Sequence, residues 1–226
     1  MNTREKINLR RKWKRWIAEL EGHVSNLLLG HDVFEELRRI VGANKKIQSP
    51  VLYHSWLNRN YLSSVSTSIR RLSDHDKRSI SLYRLIEDII EHHEVITREY
   101  FASDYPKWMR EEKLADYDFD KFARKDQNIL SRYKLKADLN KLKKYTVLVK
   151  NFTDKWIAHL DLNRRSVRIP TYEEIGDTLK SVDKLYCKYY LLLTHAGLST
   201  ANPSIQFDWR KPLRHPWINV CSADGE

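Results

Sequence analysis

Leu142, Tyr145, Val149, Phe152, Trp156 and His159 follow one another at alternating steps of three and four, the spacing that lines up side chains on one face of an α-helix. The stretch predicts a helix from Arg132 to about Ile157 with a buried seam along it. Composition points the same way. With 6 Gly and 6 Pro among 226 residues, the turn residues that a many-stranded fold needs at each reversal are scarce, whereas long helices need few of them. The predicted fold class is all-α: a single helical bundle over residues 1–198, followed by a long irregular C-terminal tail, 199–226, packed on it.

Leu9, Trp13, Trp16, Ile17 and Leu20 share a stripe, which predicts a first helix from Thr3 to Glu21. Gly22 and Gly30 are expected to loosen the chain before a short helix from Asp32 to Val41, and Gly42 to Pro50 reads as a polar linker. Tyr53, Leu57, Tyr61, Val65, Ile69 and Leu72 mark a long helix from Val51 to Leu72. A fourth helix, capped by Ser79 or Ser81, would carry Leu82, Leu85, Ile86, Ile89, Ile96 and Tyr100. Ala102 to Tyr117 reads as a loop or short helix, and Asp118 to Leu130 as helix. Thr171 with Glu174 three residues on is a capping box. It opens a last helix expected to reach His195 and to end at Gly197. Trp209 and Trp217 are expected to pack the tail irregularly over the bundle.

Charge is unevenly placed. Residues 1–15 carry seven basic side chains against Glu5 alone, residues 121–150 carry ten against Asp126 and Asp138, and residues 81–120 carry eleven acidic against five basic. Separated basic and acidic surfaces suit a polyanionic partner at one face. Lys136, Lys143 and Lys150 recur at seven-residue steps, with Lys141 and Lys144 nearby, and so predict a positive ridge running toward His159. Trp156, Tyr133 and Tyr145 could stack bases, although Trp156 and Tyr145 read as core.

Other chemistries find no support. Cys187 and Cys221, 34 positions apart, build neither a disulfide framework nor a Cys-rich zinc site, and no stretch reaches the roughly 18 apolar residues of a membrane span. A reducing cytoplasm is the expected location. The phosphate loop of nucleotidases, G-x-G-x-x-G, H-E-x-x-H and G-x-S-x-G do not occur, which argues against those enzyme classes. Glu91, His92, His93 and Glu94 cluster, but helix neighbours point about 100° apart and share a metal poorly. No metal and no cofactor is expected.

The segment Asp154-Lys155-Trp156-Ile157-Ala158-His159-Leu160-Asp161 resembles the D-K-x-x-A-H-x-D neighbourhood of HEPN proteins, in particular the AbiU-like branch associated with abortive infection. Ile69-Arg70-Arg71-Leu72-Ser73-Asp74, followed by Ser79-Ile80-Ser81-Leu82, resembles the same branch. The resemblance spans roughly Tyr53 to His195. It implies a HEPN-like bundle that forms a homodimer, the two His159 regions meeting across a cleft. The function it implies is RNA binding and metal-independent endoribonuclease activity in anti-phage defence or as a toxin. The alternative is a catalytically inactive relative serving as an RNA-binding or protein-interaction module, with a possible protein partner in a defence system.

In active members an Arg precedes the His by four to six intervening residues. The corresponding positions here are Asp154, Thr153 and Phe152, so the phosphate-holding cation is missing. His159 is then the candidate proton carrier, its ordinary pKa suiting both acceptance and donation. Asp154 occupies the polar position, and Arg70 or Arg71 is the candidate cation recruited from another helix. Lys136, Lys143, Lys150, Lys155, Arg164 and Arg165 are the candidate RNA-binding residues. Arg70 with His75 and Arg210 with His215 satisfy the literal spacing, a number of matches that chance alone supplies. Restoring the family residue, Thr153→Arg, is expected to re-create the phosphate clamp. The bland reading of His159 is a packing residue on an apolar seam near a helix C-terminus.

Overall fold

The computed structural model describes residues 1–49, 51–159 and 161–215. Trp217 and Cys221 lie outside the described residues. Among those described, eight α-helices occur: α1 (Thr3–Ala43), α2 (Val51–Leu72), α3 (Leu82–Glu91), α4 (Arg98–Ser103), α5 (Lys107–Glu111), α6 (Leu114–Phe119), α7 (Arg132–Phe152) and α8 (Tyr172–Thr194). The only β pairing among them is an isolated bridge between Thr97 and Ile129. The fold is all-α, as the sequence predicts. No helix among the described residues is long and apolar enough to cross a membrane.

The expected break at Gly22 does not occur: α1 runs unbroken for 41 residues through both Gly22 and Gly30. A helix-interior glycine costs about 1 kcal/mol relative to alanine. The buried face of α1 outweighs that cost, because Trp13, Ile17 and Val24 are fully buried and each large apolar side chain contributes roughly 1.5–3 kcal/mol. Asn2 and Glu5 form a capping box at its start. The burial of Trp13 also solves a polar problem: its indole Nε1 donates to the buried Asp88 carboxylate, which Lys12 Nζ approaches to 2.9 Å.

α7 is the central element, packing on α2, α3 and α8, while α1 packs most extensively on α8. Its buried row is Leu135, Leu139, Leu142, Thr146 and Val149. That row corrects the predicted seam in two places. Tyr145 is 37% exposed, because Thr146 takes the inward position and returns its hydroxyl to the Leu142 carbonyl at 2.8 Å. The α-helical pattern also stops at Phe152, where the chain continues as a π-helix, Thr153–Ala158. His159 follows in extended conformation and is exposed.

Ser81, not Ser79, caps α3, its hydroxyl accepting the Arg84 amide at 3.0 Å. That helix ends at Glu91; Ile96 lies in the turn beyond, and Tyr100 belongs to α4, which Thr97 caps. The predicted helix over Asp118–Leu130 is absent. α6 stops at Phe119, and the chain reverses through Asp126 at φ 64° before Ile129 bridges Thr97. α8 opens on the expected Thr171–Glu174 capping box. It ends at Thr194, one residue short of the expected His195, because His195 itself adopts the left-handed conformation at φ 61°. Its ring is packed edge-on against Phe101 and Tyr105 at 5.0 and 5.9 Å, contacts that hold the strained residue. Beyond it, the chain is tied to α1 and α8. Ser25 donates to the Ala201 carbonyl, Asp183 accepts from the Ala201 amide, and Asn202 donates to Asp32.

Candidate functional site

The segment resembling the family neighbourhood is the one that departs from α-helical geometry. In a π-turn the hydrogen bond runs from residue i to i+5, a widening found mostly as single turns and frequently at functional sites. Here it covers Thr153–Ala158. Thr153, where the resemblance would place an Arg, is 1% exposed and donates to the Val149 carbonyl at 2.8 Å. The position points into the core, so the missing cation cannot be supplied there without burying a charge.

Asp154, the next residue, turns outward and meets α2. Arg70, in the last turn of α2, donates its Nε to the Asp154 carboxylate, and Lys150 Nζ reaches the other oxygen at 3.0 Å. Burial opposes ionisation of Asp154, but the two cationic hydrogen bonds outweigh it and hold the carboxyl below the ordinary range. The same bond raises the Arg70 guanidinium. Arg70, one of the two cations the sequence offers for the missing Arg, thus meets Asp154. Arg71 goes elsewhere. One residue on, it lines a depression with Leu20 and His23 of α1 and takes no part in the Asp154 cluster.

The lysine ridge borders this cluster. Lys136 and Lys143 are exposed. Lys143 Nζ sits 5.2 Å from the centre of the Tyr83 ring, within cation–π reach. Tyr83 in turn lies 5.9 Å from His75, so His75 stands beside the ridge on the α3 side. Lys150 is the ridge member already engaged, by Asp154. Beyond the π-turn, Trp156 donates to the Val167 carbonyl at 2.9 Å and Arg164 stacks over its ring at 5.7 Å. Trp156 is thus a strut for the α7–α8 connection, not a free stacking platform. Lys155 donates to Ser166, and Arg165 is exposed. His159 is exposed and makes no hydrogen bond or ion pair among the described residues, so it does not sit on a buried seam.

Two sequence features resolve differently. In the acidic cluster, donor atoms of Asp88, Glu91 and His92 lie within 4.8 Å of one another. Asp88 is the residue spacing alone overlooked, but its carboxylate already serves Trp13 and Lys12. The Arg210–His215 match is spent on structure, Arg210 pairing with Glu36 and Asp208.

A family model described as AbiU2, of HEPN type, matches residues 11–211. The chain belongs to the AbiU2 family. The match runs from the first turns of α1 to the 3₁₀ turn at Lys211–Arg214, well beyond the Tyr53–His195 stretch that carries the motif resemblance. Membership makes this a HEPN protein of the abortive-infection, defence-related kind. No curated protein and no solved structure matches the chain.

Sequence reading of this AbiU2 member missed Tyr83, whose place between Lys143 and His75 depends on the packing of α3 on α7. It also missed a groove between α1 and α2. The signal for that was present: Leu57, Tyr61, Ser64, Ser68 and Arg71 recur at steps of four and three along α2, a helical face more polar than a core row.

Proposed function

We propose that the chain binds single-stranded RNA and cleaves it without a metal, at a site made by the end of α2 and the π-turn after α7. The observation that carries the reading is the meeting of Arg70 with Asp154 beside Lys150, in the turn that ends at the exposed His159. In this reading the ribose 2′-hydroxyl attacks the adjacent phosphorus and the bond to the 5′-oxygen breaks. A 2′,3′-cyclic phosphate and a 5′-hydroxyl result. His159 takes the hydroxyl proton or returns one to the leaving oxygen, and Arg70, held in place by Asp154, faces the developing negative charge. The exposed Lys136 and Lys143 supply phosphate contacts, joined by Lys155, Arg164 and Arg165 past the turn.

A homodimer belongs to this reading. Its apolar support is the start of α2. There Val51, Leu52, Tyr53 and Trp56 are each at least 50% exposed, apolar surface of the kind an interface covers.

One observation favours a second reading, in which the chain binds RNA without cutting it: the Arg70 guanidinium is already paired with Asp154. The two readings part on one experiment. Single-stranded RNA incubated in EDTA with the parent and with Arg70→Ala should be cut by the parent only; RNA that is bound by the parent and left intact selects the non-catalytic reading.

A further inference from the structure

α1 and α2 do not close on each other along their whole length. Between them lie two cavities of 440 Å³ and 150 Å³ that share His23 and Ser68 in their walls, so they form one groove. Its α2 wall is the row Leu57, Tyr61, Ser64, Ser68 and Arg71, and its α1 wall is the row His23, Leu27, Gly30, Phe34 and Leu37. Each row steps by four and three, so each is one helix face. Within it Phe34 and Tyr61 stack across the two walls at 3.6 Å, one turn short of Leu37 and Leu57, with the Tyr61 hydroxyl 2.6 Å from His31 Nδ1. Arg71 stands at the near end, ten residues and about 15 Å along α2 from Tyr61. It makes no ion pair among the described residues. Asp74, also at that end, accepts the Asp76 amide.

We infer that this groove seats an unpaired stretch of the RNA strand, with a base in its apolar part and the backbone phosphate toward Arg71. The inference rests on the RNA-binding reading above and adds to it a place that reads sequence. Three observations carry it. The middle of the groove is polar, and the side chains of His23, Asn26, Ser64 and Ser68 make no hydrogen bond among the described residues. An apolar helix laid there would bury those groups without partners, which is costly, whereas a base edge or a ribose hydroxyl satisfies them. The end of the groove that holds Arg71, with Asp74 in the same wall, is the end of α2, one residue along from the Arg70 that meets Asp154, so the groove opens next to the proposed cleavage point.

The third observation is Gly30. It sits inside α1, where no positive φ requires a glycine, and a Cβ built on it meets nothing within 4 Å. The fold itself has no need of a glycine at this position, which lowers helix propensity. A side chain there would project into the groove. Gly22, on the same helix, is equally free of neighbours but lines neither cavity, which makes it the control.

The test is fluorescence anisotropy with a single-stranded 2′-O-methyl RNA, which resists cleavage, and with free nucleoside monophosphates as competitors. Gly30→Leu should weaken strand binding roughly tenfold or more relative to Gly22→Leu, with a melting temperature no lower than the parent's. Arg71→Ala should weaken it as well. If Gly30→Leu binds as the parent does while Lys136→Ala with Lys143→Ala weakens binding, the groove inference is overturned and the RNA-binding reading stands. If the parent binds no strand, both fall. Monophosphate binding that Gly30→Leu blocks, with strand binding untouched, also overturns the inference, because the groove then serves a free nucleotide.

Discussion

Arg70 and Asp154 stand 84 residues apart in the chain, and their side chains meet across the ends of α2 and the π-turn that follows α7. The pair joins the two segments that each resemble the family in sequence. In the proposed reading the cation comes from a neighbouring helix, whereas the family motif would put it on the helix that carries the histidine.

The pair has a pH signature. Asp154 has a folded-state pKa below its ordinary value, set by Arg70 and Lys150 against the opposing effect of burial. A carboxylate with a depressed folded pKa adds stability above its unfolded pKa, near 4, and loses it as pH falls through the folded value. Asp154→Asn should therefore lower stability at pH 6 by about 1 kcal/mol, since the partners are partly exposed, and the gap to the parent should shrink by pH 3. A gap that is the same at both values would mean that the pair contributes nothing through charge.

Thr153→Arg separates the sequence expectation from the structure. By sequence it restores a phosphate clamp; by structure it forces a guanidinium into a position that is 1% exposed. The substitution should destabilise the fold by about 3 kcal/mol or more and fail to raise activity, as urea unfolding and a cleavage assay would read. A stable variant with enhanced cleavage would show that the π-turn can rotate this position outward.

Salt dependence tests the ridge. Lys136 and Lys143 are exposed, whereas Lys150 is held by Asp154. Each phosphate contact on a single strand contributes about 0.7 to the slope of log affinity against log salt, so Lys136→Ala with Lys143→Ala should reduce it by about 1.4. Adding Lys150→Ala should change it little further. An unchanged slope in the double variant would make the ridge a solvated face.

The helical class, the extent of α2, the core of α7 and the α8 capping box were legible because each rests on local periodicity or a local hydrogen-bond pair. The errors fall where tertiary packing decides. Gly22 and Gly30 carry a breaking signal that the buried face of α1 overrides. His195 takes a backbone conformation suited to glycine because Phe101 and Tyr105 hold its ring. The register of α7 was misread by one position at Tyr145, since a threonine that bonds back to its own helix can be buried as readily as an apolar residue. At the candidate site the sequence offers Arg70, Arg71 and Asp154 together; that Arg70 meets Asp154 while Arg71 lines the groove beside α1 and Thr153 faces inward follows only from the rotation of each helix about its axis.

His159 gives the most direct test of metal-independent cleavage at the π-turn. It is exposed and makes no polar contact among the described residues, so His159→Ala should change stability by no more than about 0.5 kcal/mol, and any loss of activity reports chemistry. The measurement is cleavage of end-labelled single-stranded RNA in EDTA by the parent, His159→Ala and His75→Ala, with analysis of the product ends. The expected result is parent cleavage leaving 2′,3′-cyclic phosphate, a loss of at least about 100-fold in His159→Ala, and near-parent activity in His75→Ala. Cleavage that requires Mg²⁺, or that survives His159→Ala intact, would contradict it.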